Sequence, residues 1–190
     1  MKKPALILID VQHGIKDAAH WGGNRCNPDA ENNIARLLIL WRERKWPVVV
    51  IQHSSATHTS PFYPGKEGHA LMDFVSPQPE EVIIKKSTAN AFIHTALEHH
   101  LREQEVTSLV VAGFVTNNSV EATARMAGDL GFNTIVVSDA CACFDKAGLD
   151  GTKYPATLVH DISLANLKDE YATIAGTEEI INNNREIIIP

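Results

Sequence analysis

No apolar run in the sequence approaches the roughly twenty residues that a membrane-spanning helix needs, so a transmembrane helix is excluded and no membrane partner is expected. Positive charge is also in short supply. The 17 Lys and Arg are outnumbered by 23 Asp and Glu, giving a formal net charge of −6, and no basic stripe with interleaved aromatics occurs. Capture of phosphate backbones needs the opposite balance, and nucleic acid is not an expected partner. Cysteines are few: Cys26, Cys141 and Cys143 are odd in number and make no disulfide framework. Buried free thiols in a reducing cytoplasm are the expectation. The opening "MKKPALILIDVQHGI" mimics a secretory leader, with two lysines before an apolar run. That run is too short and ends at Asp10 without a small-residue cleavage site, so it reads as a first strand. Linkers, repeats and low-complexity segments are missing, apart from a polar tail "NNNREIIIP", and one domain over residues 1–190 is expected.

What is present is an alternation. "PALILID" (4–10), "PVVVIQH" (47–53), "EEVIIKK" (80–86), "TSLVVAG" (107–113) and "NTIVVSDA" (133–140) are short, continuous and rich in Val and Ile, the pattern of strands buried on both faces. Helical patterns fall between them. In "NPDAENNIARLLILWRERKW", Asn27 suits an N-cap, Pro28 the first helical position, and Ile34, Leu37, Leu38 and Trp41 share one stripe. Residues 91–104, 119–130 and 156–172 repeat that pattern after the third, fourth and fifth strands. Strand and helix in succession predict an α/β fold: three α/β/α layers around a mostly parallel, Rossmann-like sheet of about six strands. The longest stretch without regular signals, residues 54–79, has the length of a functional lid or a partner-binding loop.

Ligands of such sheets sit outside the carboxyl ends of the strands. Asp10 closes the first strand, Gln52 and His53 the second, Lys86 the third, and Thr116 to Ser119 follow the fourth. A carboxylate, an ammonium and a hydroxyl at a helix start would therefore converge in one cleft. Each also has a plain structural reading, as a turn former, a solvated lysine and a helix cap.

"LILIDVQHGI" and "IIKKSTANAFIHTALEHHLREQEVTSLVVAGFVTNNSVEATARMAGDLGFNTIVVSDAC" resemble the isochorismatase-like (cysteine) hydrolase family, which includes nicotinamidases, other amidases and isochorismatases. The resemblance runs from residue 4 to about 175. It implies a catalytic aspartate in a D-x-Q context at Asp10 and a lysine at Lys86, ahead of Ala91-Phe92. The family's cysteine nucleophile, in a G-x-x-T-x-x-C-V-x-x-T-A pattern, falls on Ser119, while Gly113, Thr116, Val120, Thr123 and Ala124 agree around it. A helix N-terminus can lower a thiol pKa usefully but cannot ionise an alcohol near neutrality. Three readings follow. Ser119 attacks an amide with Asp10 as base and backbone N–H donors as an oxyanion hole, one of them aimed by a non-proline cis peptide that the family would place at Phe114-Val115. Alternatively Asp10 acts as a general acid on a vinyl ether, as the resemblance implies for isochorismatases. In the third reading catalysis is lost and the cleft only binds a metabolite or serves a scaffold.

The family's nicotinamidases hold a metal through an Asp-x-His on the loop after the second strand. Here that loop reads "IQHSSATHTS", the spacing of His53, His58 and His69 has no metal-site regularity, and Cys-x-Cys with one distant cysteine is weak for zinc. No metal and no cofactor are expected, and a substrate other than nicotinamide. Loop position predicts a small-molecule pocket lined by Val11, Trp21, His53, Phe62, Tyr63 and Phe92, joined by Gln12, Val115 and Thr116 beside the strand ends. His94, His99 and His100 read as surface or interface residues. The resemblance implies a homodimer or homotetramer, with loop 61–75 and the terminal "EIIIP" as candidate contacts.

Overall fold

The first strand sets the layering: Leu6 and Leu8 pack on one side of it, while Ala5, Ile7 and Ile9 pack on the other. A strand with both faces apolar must be covered twice, and the chain supplies helices to both sides. The computed structural model describes residues 3–182. Its central sheet has six strands in the order β3-β2-β1-β4-β5-β8, all parallel. They are β1 (Ala5–Ile9), β2 (Val48–His53), β3 (Val82–Lys86), β4 (Ser108–Phe114), β5 (Asn133–Ala142) and β8 (Thr173–Ala175). The strands β6 (Lys146–Ala147) and β7 (Lys153–Tyr154) form a separate antiparallel pair. The mostly parallel sheet expected from the alternation is the one observed.

On one face lie α2 (Ala30–Arg44), through Ile34, Leu37, Leu38 and Trp41, and α6 (Thr177–Asn182), through Ile180. On the other lie α3 (Leu97–Glu103), α4 (Glu121–Asp129) and α5 (Ala156–Leu167), through Leu97, Leu101, Ala124, Ala127, Leu164 and Leu167. A four-residue helix, α1 (Ala18–Trp21), follows the first strand. Trp41 is fully buried, and its Nε1 donates to Pro4 O at 3.0 Å, which satisfies the one polar atom of the largest core side chain. No helix among the described residues is long and apolar enough to cross a membrane.

Several local expectations are corrected by side-chain chemistry. Asn27 does not cap α2; Asp29 holds that position, and Asn27 instead has φ +46° and donates to Ser138 O and Cys141 O at 2.9 and 2.7 Å. The helix expected over 91–104 forms only at 97–103. Before it, Asn90 Oδ1 accepts from Phe92 N at 2.9 Å and Thr95 Oγ1 donates to Ala91 O at 2.5 Å, local bonds that compete with a helix. The helix expected over 119–130 opens with a single π turn, Thr116–Val120, and the one expected to reach 172 ends at Leu167, leaving room for β8. Phe62, Met72 and Val75 of loop 61–75 turn into this chain's own core, so that loop presents little of its apolar content outward. The terminal "EIIIP" lies outside the described residues.

Candidate active site

The order β2-β1-β4 places a switch between the first strand and the fourth, and the residues at their carboxyl ends frame a crevice. Asp10 leaves β1 in the left-handed region, with φ +51°. Its neighbour across the ladder from Ile9 is Gly113, with φ +130°, where an added Cβ would stand 2.1 Å from Ile9 O. Only glycine permits that approach, which brings the exits of β1 and β4 together. Lys86 ends β3 in register with His53 at the end of β2. The Phe114–Val115 peptide bond is cis, and the π turn that follows carries Ser119.

Lys86 ties these ends together. Its Nζ lies 2.8 Å from Asp10 Oδ2, 3.1 Å from Thr88 O, and 3.3 Å from both Ser119 Oγ and His53 Nδ1. Asp10, Lys86 and Ser119 are all buried. Because the ammonium donates to the Ser119 oxygen, the Ser119 proton is left to another acceptor. Asp10 Oδ1 is buried and has no hydrogen-bond partner among the described residues. Burial pushes the Asp10 carboxyl above its ordinary pKa, opposed by the charge and hydrogen bond of Lys86 and then by the Ser119 hydroxyl. Burial and the Lys86 charge push His53 down to about 4, so its ring is neutral; the three ammonium protons go to Asp10, Thr88 O and Ser119, and Nδ1 stands beside them without receiving one.

A cavity of about 100 Å³ opens onto this group. Trp21, His53, Phe62 and Val115 line it together with Asp10 and Ser119. Trp21 is held by Nε1 donating to Gly14 O at 2.8 Å and by its ring against Phe62, with centroids 5.1 Å apart. The other residues expected at the pocket are elsewhere. Gln12 spends its amide on backbone, donating to His53 O and His69 O and accepting from His53 N, which fastens the long loop to β2. Tyr63 stacks on His58 with centroids 4.0 Å apart, Phe92 on Phe132 at 6.1 Å, and the Thr116 hydroxyl meets His160 Nδ1 at 2.9 Å. Val11 is buried in the core. His58 is exposed and His69 Nε2 is engaged by Ser54 Oγ at 2.9 Å, so His53, His58 and His69 form no cluster among the described residues. Sequence reasoning missed Ile15, Ala89, Phe114 and Asn118 as lining residues. Phe114 and Asn118 flank positions already singled out, which was the available signal; Ile15 and Ala89 had none. A larger depression of about 660 Å³, bordered by His13, Arg25 and Phe74, shares no lining residue with this cavity.

A doubly wound parallel sheet with a buried carboxylate, ammonium and hydroxyl at its strand ends has the architecture of an α/β enzyme. The chain belongs to the isochorismatase family: the isochorismatase domain matches residues 4–179. It is 46% identical over 182 residues to the isochorismatase family protein YrdC of Bacillus subtilis (strain 168), covering 96% of each chain. A crystal structure of an isochorismatase-family hydrolase from Chromobacterium violaceum matches with a TM-score of 0.90 and 46% identity, over 95% of this chain and 92% of that one. Maleamate amidohydrolase of Pseudomonas putida is 27% identical over 206 residues, 98% of this chain and 89% of its own length.

Proposed function

We propose that this hydrolase cleaves the C–N bond of a small, uncharged amide, with Ser119 as nucleophile, Asp10 as general base and acid, and Lys86 as the group that orients both. The observation that carries the reading is the convergence of the three side chains on one another, with Asp10 and Ser119 lining the cavity and Asp10 Oδ1 left unpartnered. A carboxylate is a weak base toward an alcohol, and the burial that raises the Asp10 pKa narrows that gap. Ser119 Oγ attacks the carbonyl carbon as its proton passes to Asp10. No side chain caps the π turn; Asn118 N donates to Val115 O, and the remaining N–H groups at its start serve the oxyanion. The proton then moves from Asp10 to the leaving nitrogen as the C–N bond breaks. Water, deprotonated by Asp10, attacks the acyl-serine, releases the acid and returns a proton to Ser119.

The cavity supports the substrate class. Its walls, including Ile15, Trp21, Phe62 and Phe114, are apolar, and no arginine lines it. The ammonium of Lys86 is already matched by Asp10, so a carboxylate-bearing substrate would meet no free counter-charge. A volume of about 100 Å³ admits only a few heavy atoms. Turnover of small neutral amides, with an acyl group trapped on Ser119 by acid quench and found by mass spectrometry, tests the reading. An unmodified chain during demonstrated turnover, with an active Ser119→Ala, would reject it.

The raised Asp10 pKa also favours a second reading, in which Asp10 protonates an ether substrate and Ser119 only contacts it. A homodimer or homotetramer is proposed as the assembly, supported by Leu158 and Ile162, which stand exposed on α5. A monomeric mass in light scattering would reject it.

A further inference from the structure

A second buried group of reactive side chains lies away from the cavity. Arg25 and Phe144 form an antiparallel bridge, and Cys26 N donates to Cys143 O at 3.1 Å, so the two cysteines face each other across the backbone. Their sulfurs are 3.9 Å apart and both thiols are free. His160 reaches the same point from α5, and one of its ring nitrogens and the two sulfurs all lie within 4.8 Å of one another. All three residues are buried, and none lines the cavity.

We propose that Cys26, Cys143 and His160 form a zinc site. Two sulfurs bound to one tetrahedral zinc at about 2.3 Å stand about 3.8 Å apart, the separation already present between these thiols. The histidine has one ring nitrogen held and the other available. Its Nδ1 is 2.9 Å from Thr116 Oγ1, a partner that fixes the ring and leaves Nε2 with a free electron pair. Nε2 also lies 3.3 Å from Asn27 Nδ2, but that amide has only two protons, and these go to Ser138 O and Cys141 O at 2.9 and 2.7 Å. Nε2 is therefore not held by a committed donor. Cys26 Sγ accepts from Cys143 N at 3.2 Å, a bond that stabilises a thiolate.

Charge selects the ion. Two thiolates and a neutral imidazole carry two negative charges, which a divalent ion cancels inside a buried site, whereas a monovalent ion would leave one uncompensated. Sulfur and imidazole select zinc over magnesium or calcium. Binding releases the two thiol protons to solvent, breaks the hydrogen bond from Cys143 Sγ to Ala156 O, and forms two Zn–S bonds and one Zn–N bond, with a water as the fourth ligand. The site touches Thr116, the first residue of the turn that carries Ser119, so the metal would brace that turn from behind. The three cysteines are buried free thiols, as expected; the expectation against zinc rested on the spacing of Cys141 and Cys143, but Cys141 packs on the opposite face of the sheet.

The full chain produced in zinc-supplemented medium and dialysed should retain about one zinc per chain. Produced in cobalt-supplemented medium, it should show a sulfur-to-cobalt charge-transfer band in the near ultraviolet, which a metal held in the cavity could not give because no cysteine lines it. Cys141→Ala should keep the band and Cys143→Ala should lose it. Thr116→Val should weaken zinc affinity about 10–100-fold. A metal-free wild-type chain, a cobalt form without the band, or a folded Cys141→Ala that loses it would each overturn the site. The wild-type spectrum decides even if Cys143→Ala does not fold.

Discussion

Two buried polar clusters meet the turn 116–120, one at Ser119 and the other at Thr116, and they differ in what closes them. Around Asp10, one carboxylate oxygen is left unpartnered beside a cavity. Cys26, Cys143 and His160 instead face one another, and none of them lines the cavity. An unpaired buried polar atom is costly, and beside a cavity it is placed to meet a group that enters. The closed cluster has no such vacancy facing the cavity, and its chemistry turns inward, toward the fold.

Substitutions can break this contrast. Asp10→Asn should have the largest effect, lowering kcat/KM on small neutral amides about 10²–10⁴-fold, the range of a lost general base. Near-normal turnover would remove Asp10 from the chemistry. Lys86→Met should cost nearly as much, because Asp10 would lose the charge that holds it ionised and the hydrogen bond that orients it. Ser119 sharpens the comparison further. If it attacks, Ser119→Ala loses nearly all activity while Ser119→Cys keeps or gains it toward amides; if Asp10 is instead an acid, Ser119→Ala falls by about tenfold at most, the scale of one hydrogen bond.

The pH profile gives an independent reading. The folded pKa of Asp10 lies above its ordinary 3.8, so a basic Asp10 requires kcat/KM to rise with pH through that raised value, and an acidic one requires it to fall. The sign for stability is opposite to that of a salt-bridged carboxylate. The folded chain holds this proton more tightly than the unfolded one, so the contribution is full below about pH 4 and is lost as pH rises through the folded pKa. The smallest effect belongs to the closed cluster. Thr116→Val leaves a ring nitrogen of His160 without its partner and should cost about 1–3 kcal/mol in denaturant unfolding, with turnover per folded molecule reduced less than by any change at Asp10.

Most of the open cluster was legible because apolar runs fix where strands end, and Asp10, His53 and Lys86 are the polar residues at those ends. Which way a polar side chain turns was not legible. Gln12 sits two residues from Asp10, yet backbone groups of the long loop claim its whole amide. The closed cluster was invisible for a different reason: its cysteines are separated by 117 positions, and His160 is one residue in the middle of a helix with no partner signal around it. The strand Thr173–Ala175 is too short for any periodicity to announce it.

The backbone contact between Gly113 and Ile9 has a consequence for how such a pocket can diversify. The floor of the cavity is built on two strand exits locked together by main chain, so a side chain at 113 would displace Asp10 along with β1. The roof is different: Trp21 comes from a four-residue helix and Phe62 from an irregular loop, and both stand outside the strand ladder. New substrates are therefore reached by redrawing the roof over an inherited floor, and a laboratory search for altered specificity would spend its library on positions 21 and 62 and leave 113 alone.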